Sequence, residues 1–201
     1  MTRPPRPFRA VLTGGPGGGK TTAADLLRRE IGDRVVVVPE AASMLFAGGF
    51  PRPVDPSARR SAQAAIYHVQ RNLEDIQAAQ YPERTLLCDR GTVDGGAYWP
   101  DGSGGFFAEV GSSLEDELER YDAVLFFETA ALGGHGFESE NPFRTESQQQ
   151  AIEVDTQLRE LWSRHRRFTI IPHSASFFAK MTAAIGILES LVDEAPDERT
   201  R

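Results

Sequence analysis

Apolar side chains alternate along the chain between two kinds of pattern. Short apolar runs predict five strands, at Phe8–Thr13, Val35–Val38, Thr85–Cys88, Tyr121–Phe127 and Phe168–Ile171. Apolar residues three or four positions apart predict helices between them, at Thr21–Ile31, Ser57–Gln80, Leu114–Arg120, Ser147–Arg167 and Ser176–Val192. Strands that alternate with helices are typical of a mostly parallel sheet. The pattern therefore predicts an α/β fold with five core strands in one three-layer domain.

The same pattern predicts the domain organisation. Residues 8–192 are expected to form a single domain between a disordered N-terminal tail, residues 1–7, and a C-terminal tail, residues 193–201. Two polar, glycine-containing segments, residues 91–113 and 129–146, fit no helix or strand pattern. Each begins just after a predicted strand, so both should lie at the carboxyl edge of the sheet, where ligands bind. We expect residues 129–146 to act as a lid.

Composition narrows the function classes. The net charge of −7 disfavours a general nucleic-acid binder, because phosphate backbones attract basic surfaces. No apolar run is long enough for a transmembrane helix, and the basic start lacks the apolar stretch of a secretory signal. A single cysteine, Cys88, suits a reducing compartment, so a cytoplasmic location is expected. Lysine occurs only twice, at Lys20 and Lys180.

The strongest chemical signal follows the first predicted strand. Residues 14–21 read GGPGGGKT and match the phosphate-loop pattern G-x-x-x-x-G-K-[ST] in full. Glycines let backbone N–H groups cradle phosphate oxygens, at the positive end of the following helix. The lysine is a point charge for the β- and γ-phosphates, and the threonine hydroxyl is a magnesium ligand. The predicted nucleotide-binding residues are Gly15, Gly17, Gly18, Gly19, Lys20, Thr21 and Thr22.

Further segments carry a resemblance to a known family. They are VPEAA with Glu40, LLCDRG with Asp89 and Arg90, and NPFRTE with Arg144; Asp94 and an Ala-Tyr pair follow the second. The chain resembles the P-loop kinases of nucleosides and related small molecules. Among these it is most similar to the AAA-labelled ATPase/kinase family that includes the ribosylnicotinamide kinase module of NadR. The resemblance spans residues 8 to about 172 and implies a three-layer P-loop NTPase fold.

The resemblance also implies a role for each matching residue. Asp89 would hold magnesium together with Thr21, although it could instead cap a helix. Glu40 would accept the proton of an attacking hydroxyl, although a glutamate at a helix start is also favoured by the helix dipole. Arg90 would orient Glu40 or a substrate oxygen, and Arg144 would neutralise transition-state charge on lid closure. A surface ion pair and a solvated loop arginine are the respective alternatives.

Weaker signals concern the acceptor and metals. Tyr67 and Gln70 could contact an acceptor ring or lie on the helix surface. Tyr98 and Trp99 could stack on such a ring or pack their own loop. The four histidines show no metal-ligand spacing, so no zinc site is predicted.

The sequence therefore predicts a phosphotransferase that uses ATP, or GTP, with Mg²⁺ and acts on a small hydroxyl-bearing, nucleoside-like metabolite. The alternative is a regulatory nucleotide-binding protein with slow hydrolysis. The Asn-Lys-x-Asp segment of guanine-specific GTPases is absent from the sequence. A nucleic-acid kinase is disfavoured by the net charge, and the oligomeric state stays open.

Overall fold

The computed structural model describes residues 6–133, 148–174 and 176–194. Its strands form one five-stranded sheet in the order β2-β3-β1-β4-β5, and every pairing is parallel. The strands are β1 (Arg9–Thr13), β2 (Val35–Val38), β3 (Thr85–Asp89), β4 (Ala123–Phe127) and β5 (Phe168–Ile171). The predicted α/β architecture is confirmed.

Helices cover both sides of this sheet. The α-helices are α1 (Lys20–Ile31), α2 (Ala41–Ala47), α3 (Pro56–Gln80), α4 (Gly104–Glu109), α5 (Leu114–Leu118), α6 (Gln148–Trp162) and α7 (Phe177–Glu194). Short 3₁₀ segments lie at Gly32–Arg34, Thr92–Tyr98 and Ala130–Gly133. No helix among the described residues has the length and apolarity needed to cross a membrane.

The two faces of the sheet are buried in separate apolar clusters. Along β4, Val124 and Phe126 face the cluster formed with α3 to α6, whereas Leu125 and Phe127 face the cluster formed with α1 and α7. All five β4 residues are buried. Strands covered on both faces read as continuous apolar runs, which is why the pattern located them. This rigid parallel sheet fixes where its carboxyl edge presents side chains.

The structure corrects several helix predictions. Residues 91–113, predicted as a loop, contain the 3₁₀ segment and α4, whose Phe106 is fully buried. These helices are too short and glycine-rich to show a helical period. No element was predicted for α2. Helix α6 ends at Trp162 rather than Arg167; just beyond it, buried His165 lies 3.0 Å from the Tyr121 carbonyl oxygen.

The buried face of α3 follows its apolar spacing only in part. The spacing that predicted the helix runs through Ala62, Ile66, Val69, Leu73 and Ile76. Ala62 is buried, yet Ile76 is 50% exposed and the polar Gln70 and Glu74 are buried. Glu74 accepts hydrogen bonds of 2.7 Å from both Arg120 and the Tyr121 hydroxyl. Buried polar groups need such partners, so the buried face of α3 is partly polar.

Candidate functional site

The phosphate loop connects β1 to α1 at the centre of the sheet. Gly19, the residue before α1, has a φ of +85°, in the left-handed region that favours glycine. It offers no side-chain acceptor, so the first-turn N–H groups of this 12-residue helix have no capping side chain. Uncapped N–H groups and the helix dipole together favour an anion at this position.

Lys20 lies inside this loop. Its side chain is buried, and Nζ donates hydrogen bonds to the carbonyl oxygens of Gly14 at 2.8 Å and Gly15 at 2.7 Å. The ammonium group is thus held across the loop by backbone oxygens. Phosphate oxygens could replace these carbonyls as acceptors without a large movement of the side chain.

Thr21 and Asp89 meet beside the loop, as the sequence predicts. The Thr21 hydroxyl donates to Asp89 Oδ2 at 2.8 Å, while buried Asp89 Oδ1 has no hydrogen-bond partner. Burial raises the pKa of Asp89 to about 6, and the charge of Glu40 adds to the shift. A buried carboxylate oxygen without a donor, next to a hydroxyl, fits a Mg²⁺ ligand pair.

A magnesium ion here would need further ligands. Within the ranges that the structure describes, no group of three or more His, Cys, Asp or Glu side chains forms a ready-made metal site. Mg²⁺ is commonly held by one or two carboxylates, with phosphate and water oxygens completing the octahedron. The pair formed by Asp89 and Thr21 matches that kind of partial site.

Glu40 and Arg90 form an ion pair at the adjacent strand ends. Arg90 Nε lies 2.9 Å from Glu40 Oε1, and its Nη1 lies 3.0 Å from Asp94 Oδ2. The same Nη1 donates to the Gly14 carbonyl at 3.2 Å, which connects the pair to the phosphate loop. Arg90 has a φ of +75°, an unfavourable conformation for a non-glycine residue. Such strain is frequent at functional sites, where the surroundings hold it in place.

Buried Gln70 fixes the backbone on both sides of this ion pair. Its Oε1 accepts from the Ala41 N–H at 3.0 Å, and its Nε2 donates to the Arg90 carbonyl at 3.3 Å. One amide side chain therefore links the residue after Glu40 to Arg90 itself. The sequence prediction had left Gln70 between an acceptor contact and a helix-surface role.

A side cavity of about 300 Å³ opens next to the phosphate loop. Its lining includes Pro16 of the loop, the ion pair Glu40–Arg90, and Tyr98, together with Tyr67 and Gln70 of α3. Trp99 does not line it; this ring is buried against Phe106, with centroids 5.5 Å apart. Its volume is at the lower end for a small-molecule site.

Asp155 is a residue of the site that sequence reasoning did not identify. It extends from α6, and its Oδ1 accepts from the Gly15 N–H at 2.8 Å and the Thr129 N–H at 3.0 Å. A Cβ on Gly15 would lie 2.6 Å from that oxygen, so only glycine permits this approach. The available signal was a lone carboxylate within the apolar stripe of α6.

The remaining predicted residues are placed as follows. Gly17 has a φ of +76°, Gly18 donates its N–H to the Gly15 carbonyl at 3.3 Å, and Thr22 is exposed at the start of α1. Arg144 and residues 134–147 lie outside the described residues. The structure therefore brings Lys20, Thr21, Glu40, Asp89 and Arg90 together at one edge of the sheet.

Known proteins show the same architecture. A family model described as an AAA domain matches residues 9–180. Thymidylate kinase from Ehrlichia chaffeensis is similar with a TM-score of 0.61 and 14% identity, over 92% of this chain and 100% of that chain. The NadR protein in complex with NAD and AMP-PNP is similar with a TM-score of 0.63 and 15% identity, over 96% of this chain and 51% of that chain. No curated protein matches the sequence. At these identities the solved structures share the fold.

Proposed function

Because the chain belongs to the AAA-domain family whose model spans residues 9–180, we propose that it is an ATP- and Mg²⁺-dependent kinase of a small hydroxyl-bearing, nucleoside-like metabolite. One observation carries this proposal. The side cavity is lined both by Pro16 of the phosphate loop and by the Glu40 carboxylate, so a molecule bound there lies next to the phosphate site. A nucleotide switch has no need of such a second compartment.

On the nucleotide side, the chain positions and neutralises phosphate groups. Lys20 would exchange its carbonyl acceptors for β- and γ-phosphate oxygens, and the first-turn N–H groups of α1 would donate to the same anion. Thr21 and Asp89 would hold Mg²⁺, which supplies charge neutralisation on the phosphates when bound. Phosphoryl transfer requires mainly this positioning and charge compensation.

On the acceptor side, Glu40 would accept the hydroxyl proton. The Ser43 hydroxyl donates to Oε2 at 2.5 Å and Arg90 to Oε1 at 2.9 Å, so both carboxylate oxygens are oriented. A general base must be within hydrogen-bond reach of its proton, and the cavity wall gives Glu40 that access. Arg144, predicted from the sequence, would neutralise charge on the transferring group.

The proposal is tested by screening ribosides, deoxyribosides and nucleotides for acceptor-dependent ADP formation with purified protein, ATP and Mg²⁺. We expect at least one nucleoside-like acceptor to raise ADP formation well above the rate with ATP alone, and its phosphorylated product to be detected by mass spectrometry. A regulatory NTPase would instead give the same slow ADP formation with every acceptor, and that result would overturn the kinase assignment.

A further inference from the structure

The charged groups around the side cavity are of two kinds. At its inner end, beside the phosphate loop, Arg90 is buried between the carboxylates of Glu40 and Asp94. With one positive and two negative groups, this trio carries a net charge of −1. At the mouth, the exposed side chains of Arg52 and Arg59 also line the cavity. The mouth is thus positive, although the chain as a whole has an excess of acidic residues.

Neither mouth arginine has an acidic partner in the part of the chain that the structure describes. Arg52 stacks its guanidinium carbon 3.9 Å from the centroid of the Phe46 ring. Arg59 donates from Nη2 to the Tyr98 carbonyl at 3.2 Å. Both contacts place a guanidinium group at the cavity wall without pairing it with a carboxylate of the described residues. An arginine held this way is preorganised for a carboxylate or phosphate.

The next residue along α3 shows the ordinary alternative. Arg60 forms an ion pair with Asp101 and does not line the cavity. The two adjacent arginines therefore differ both in position and in pairing. Arg60, outside the cavity, has a carboxylate partner, whereas Arg59, at its mouth, has none among the described residues. An ion pair such as that of Arg60 is the usual arrangement for an exposed arginine, and Arg59 departs from it.

We propose that the acceptor carries an anionic group, a phosphate or a carboxylate, which Arg52 and Arg59 bind at the mouth of the side cavity. This inference rests on the proposed kinase function and narrows its substrate class. The reacting hydroxyl must reach Glu40 at the inner end, so the anionic group lies at the far end of the molecule. Two guanidinium groups acting on one anion in a partly enclosed cavity bind it more strongly than a solvated ion pair.

Matched acceptor pairs test the proposal with the full chain. In the phosphate arm, nucleosides are compared with their 3′-monophosphates, which keep the 5′-hydroxyl free. In the carboxylate arm, uridine is compared with orotidine, and nicotinamide riboside with nicotinic acid riboside. We expect kcat/KM to be about 10-fold or more higher for the anionic member in one arm, which also identifies the anion.

Variants assign the preference to the two arginines. Arg52→Gln and Arg59→Gln should each raise the KM of the anionic acceptor about 10-fold and leave that of its neutral counterpart unchanged. Arg60→Gln removes the same formal charge one residue away, at a position outside the cavity, and serves as the matched control. An equal effect on both members of a pair, or an increase in the KM of ATP instead, would overturn the proposal.

The same reagents separate failure of this inference from failure of the kinase assignment. If neutral acceptors are turned over and anionic ones are not preferred, the kinase assignment stands and the inference of an anionic acceptor is rejected. If no acceptor is turned over, the kinase assignment fails, and calorimetric titration of the same pairs into protein saturated with Mg²⁺ and AMP-PNP decides the inference. Tighter binding of the anionic member that Arg59→Gln abolishes would support it, and equal or absent binding would reject it.

Discussion

The phosphate loop and the side cavity share one edge of the sheet but hold their charges by different means. In the loop, buried Lys20 is held by two backbone carbonyl oxygens, and Asp155 by two backbone N–H groups. In the cavity, Arg90 is held mainly by two side-chain carboxylates. The charges of the loop are thus held by backbone groups, in a conformation that few sequences can form. The charges of the cavity are held by side chains, which can be substituted one at a time.

This difference has a functional consequence. A nucleotide triphosphate presents the same oxygens in every kinase, so a rigid backbone cradle suits it. An acceptor varies from one enzyme to another, and the side cavity is lined by side chains from separate segments, namely α2, α3 and the 3₁₀ segment Thr92–Tyr98. The Gly14 carbonyl is shared by Lys20 and Arg90 and joins the two regions.

The largest expected effect separates the two regions by chemistry. Glu40→Gln keeps the size of the side chain but removes its basicity, so acceptor-dependent turnover should fall about 10²–10⁴-fold. Nucleotide affinity should barely change, because Glu40 lies on the cavity side. Single-turnover kinetics and nucleotide titration measure the two effects separately. A loss of nucleotide affinity equal to the loss of turnover would show that the two regions are not distinct.

The converse substitution acts on the loop. Lys20→Ala removes the cation aimed at the phosphates, and turnover should fall roughly 10²–10³-fold, by analogy with loss of one preorganised donor. Unlike Glu40→Gln, it should also weaken nucleotide binding. Titration with a fluorescent ATP analogue, together with a thermal melt to confirm folding, measures this. Unchanged affinity and turnover would contradict the assignment of the loop as the phosphate site.

A third substitution tests how the loop is held. Asp155→Ala removes the acceptor of two buried N–H groups, those of Gly15 and Thr129, and each orphaned donor costs about 1–3 kcal/mol. Asp155→Asn keeps an oxygen that can accept both bonds and should cost much less. Urea unfolding of both variants measures the difference. Equal destabilisation would mean that the charge of Asp155, rather than its hydrogen bonds, stabilises the loop.

The same contrast explains how much could be predicted from the sequence. Strand β4 and the loop from Gly14 to Thr21 were located because local patterns, continuous apolar burial and a glycine-lysine spacing, encode them. The backbone contacts of the buried Gln70 and Asp155 were not predicted, because those partners are distant in the chain, at 29 and 140 positions for the Ala41 and Gly15 N–H groups. A polar residue on an apolar helix face shows that a partner exists but does not identify it.

The smallest expected effect concerns the other lysine, which lies behind the loop. Lys180 is buried on α7 and donates to the Glu128 carbonyl at 2.8 Å; burial lowers its pKa from 10.5 to about 8, against the opposing charges of Glu128 and Asp155. At a pH between about 8 and 10.5, Lys180 is protonated in the unfolded chain but largely deprotonated in the folded chain. The contribution of Lys180 to the free energy of unfolding should therefore rise with pH, by at most about 1.4 kcal/mol per pH unit.

The variant Lys180→Met lacks this titrating group. Urea unfolding of both proteins from pH 7.5 to 10 should therefore show the free energy of unfolding of the wild type increasing relative to that of the variant. Parallel pH curves would mean that Lys180 is solvated like an ordinary surface lysine, and that backbone acceptors hold a buried ammonium group only at Lys20.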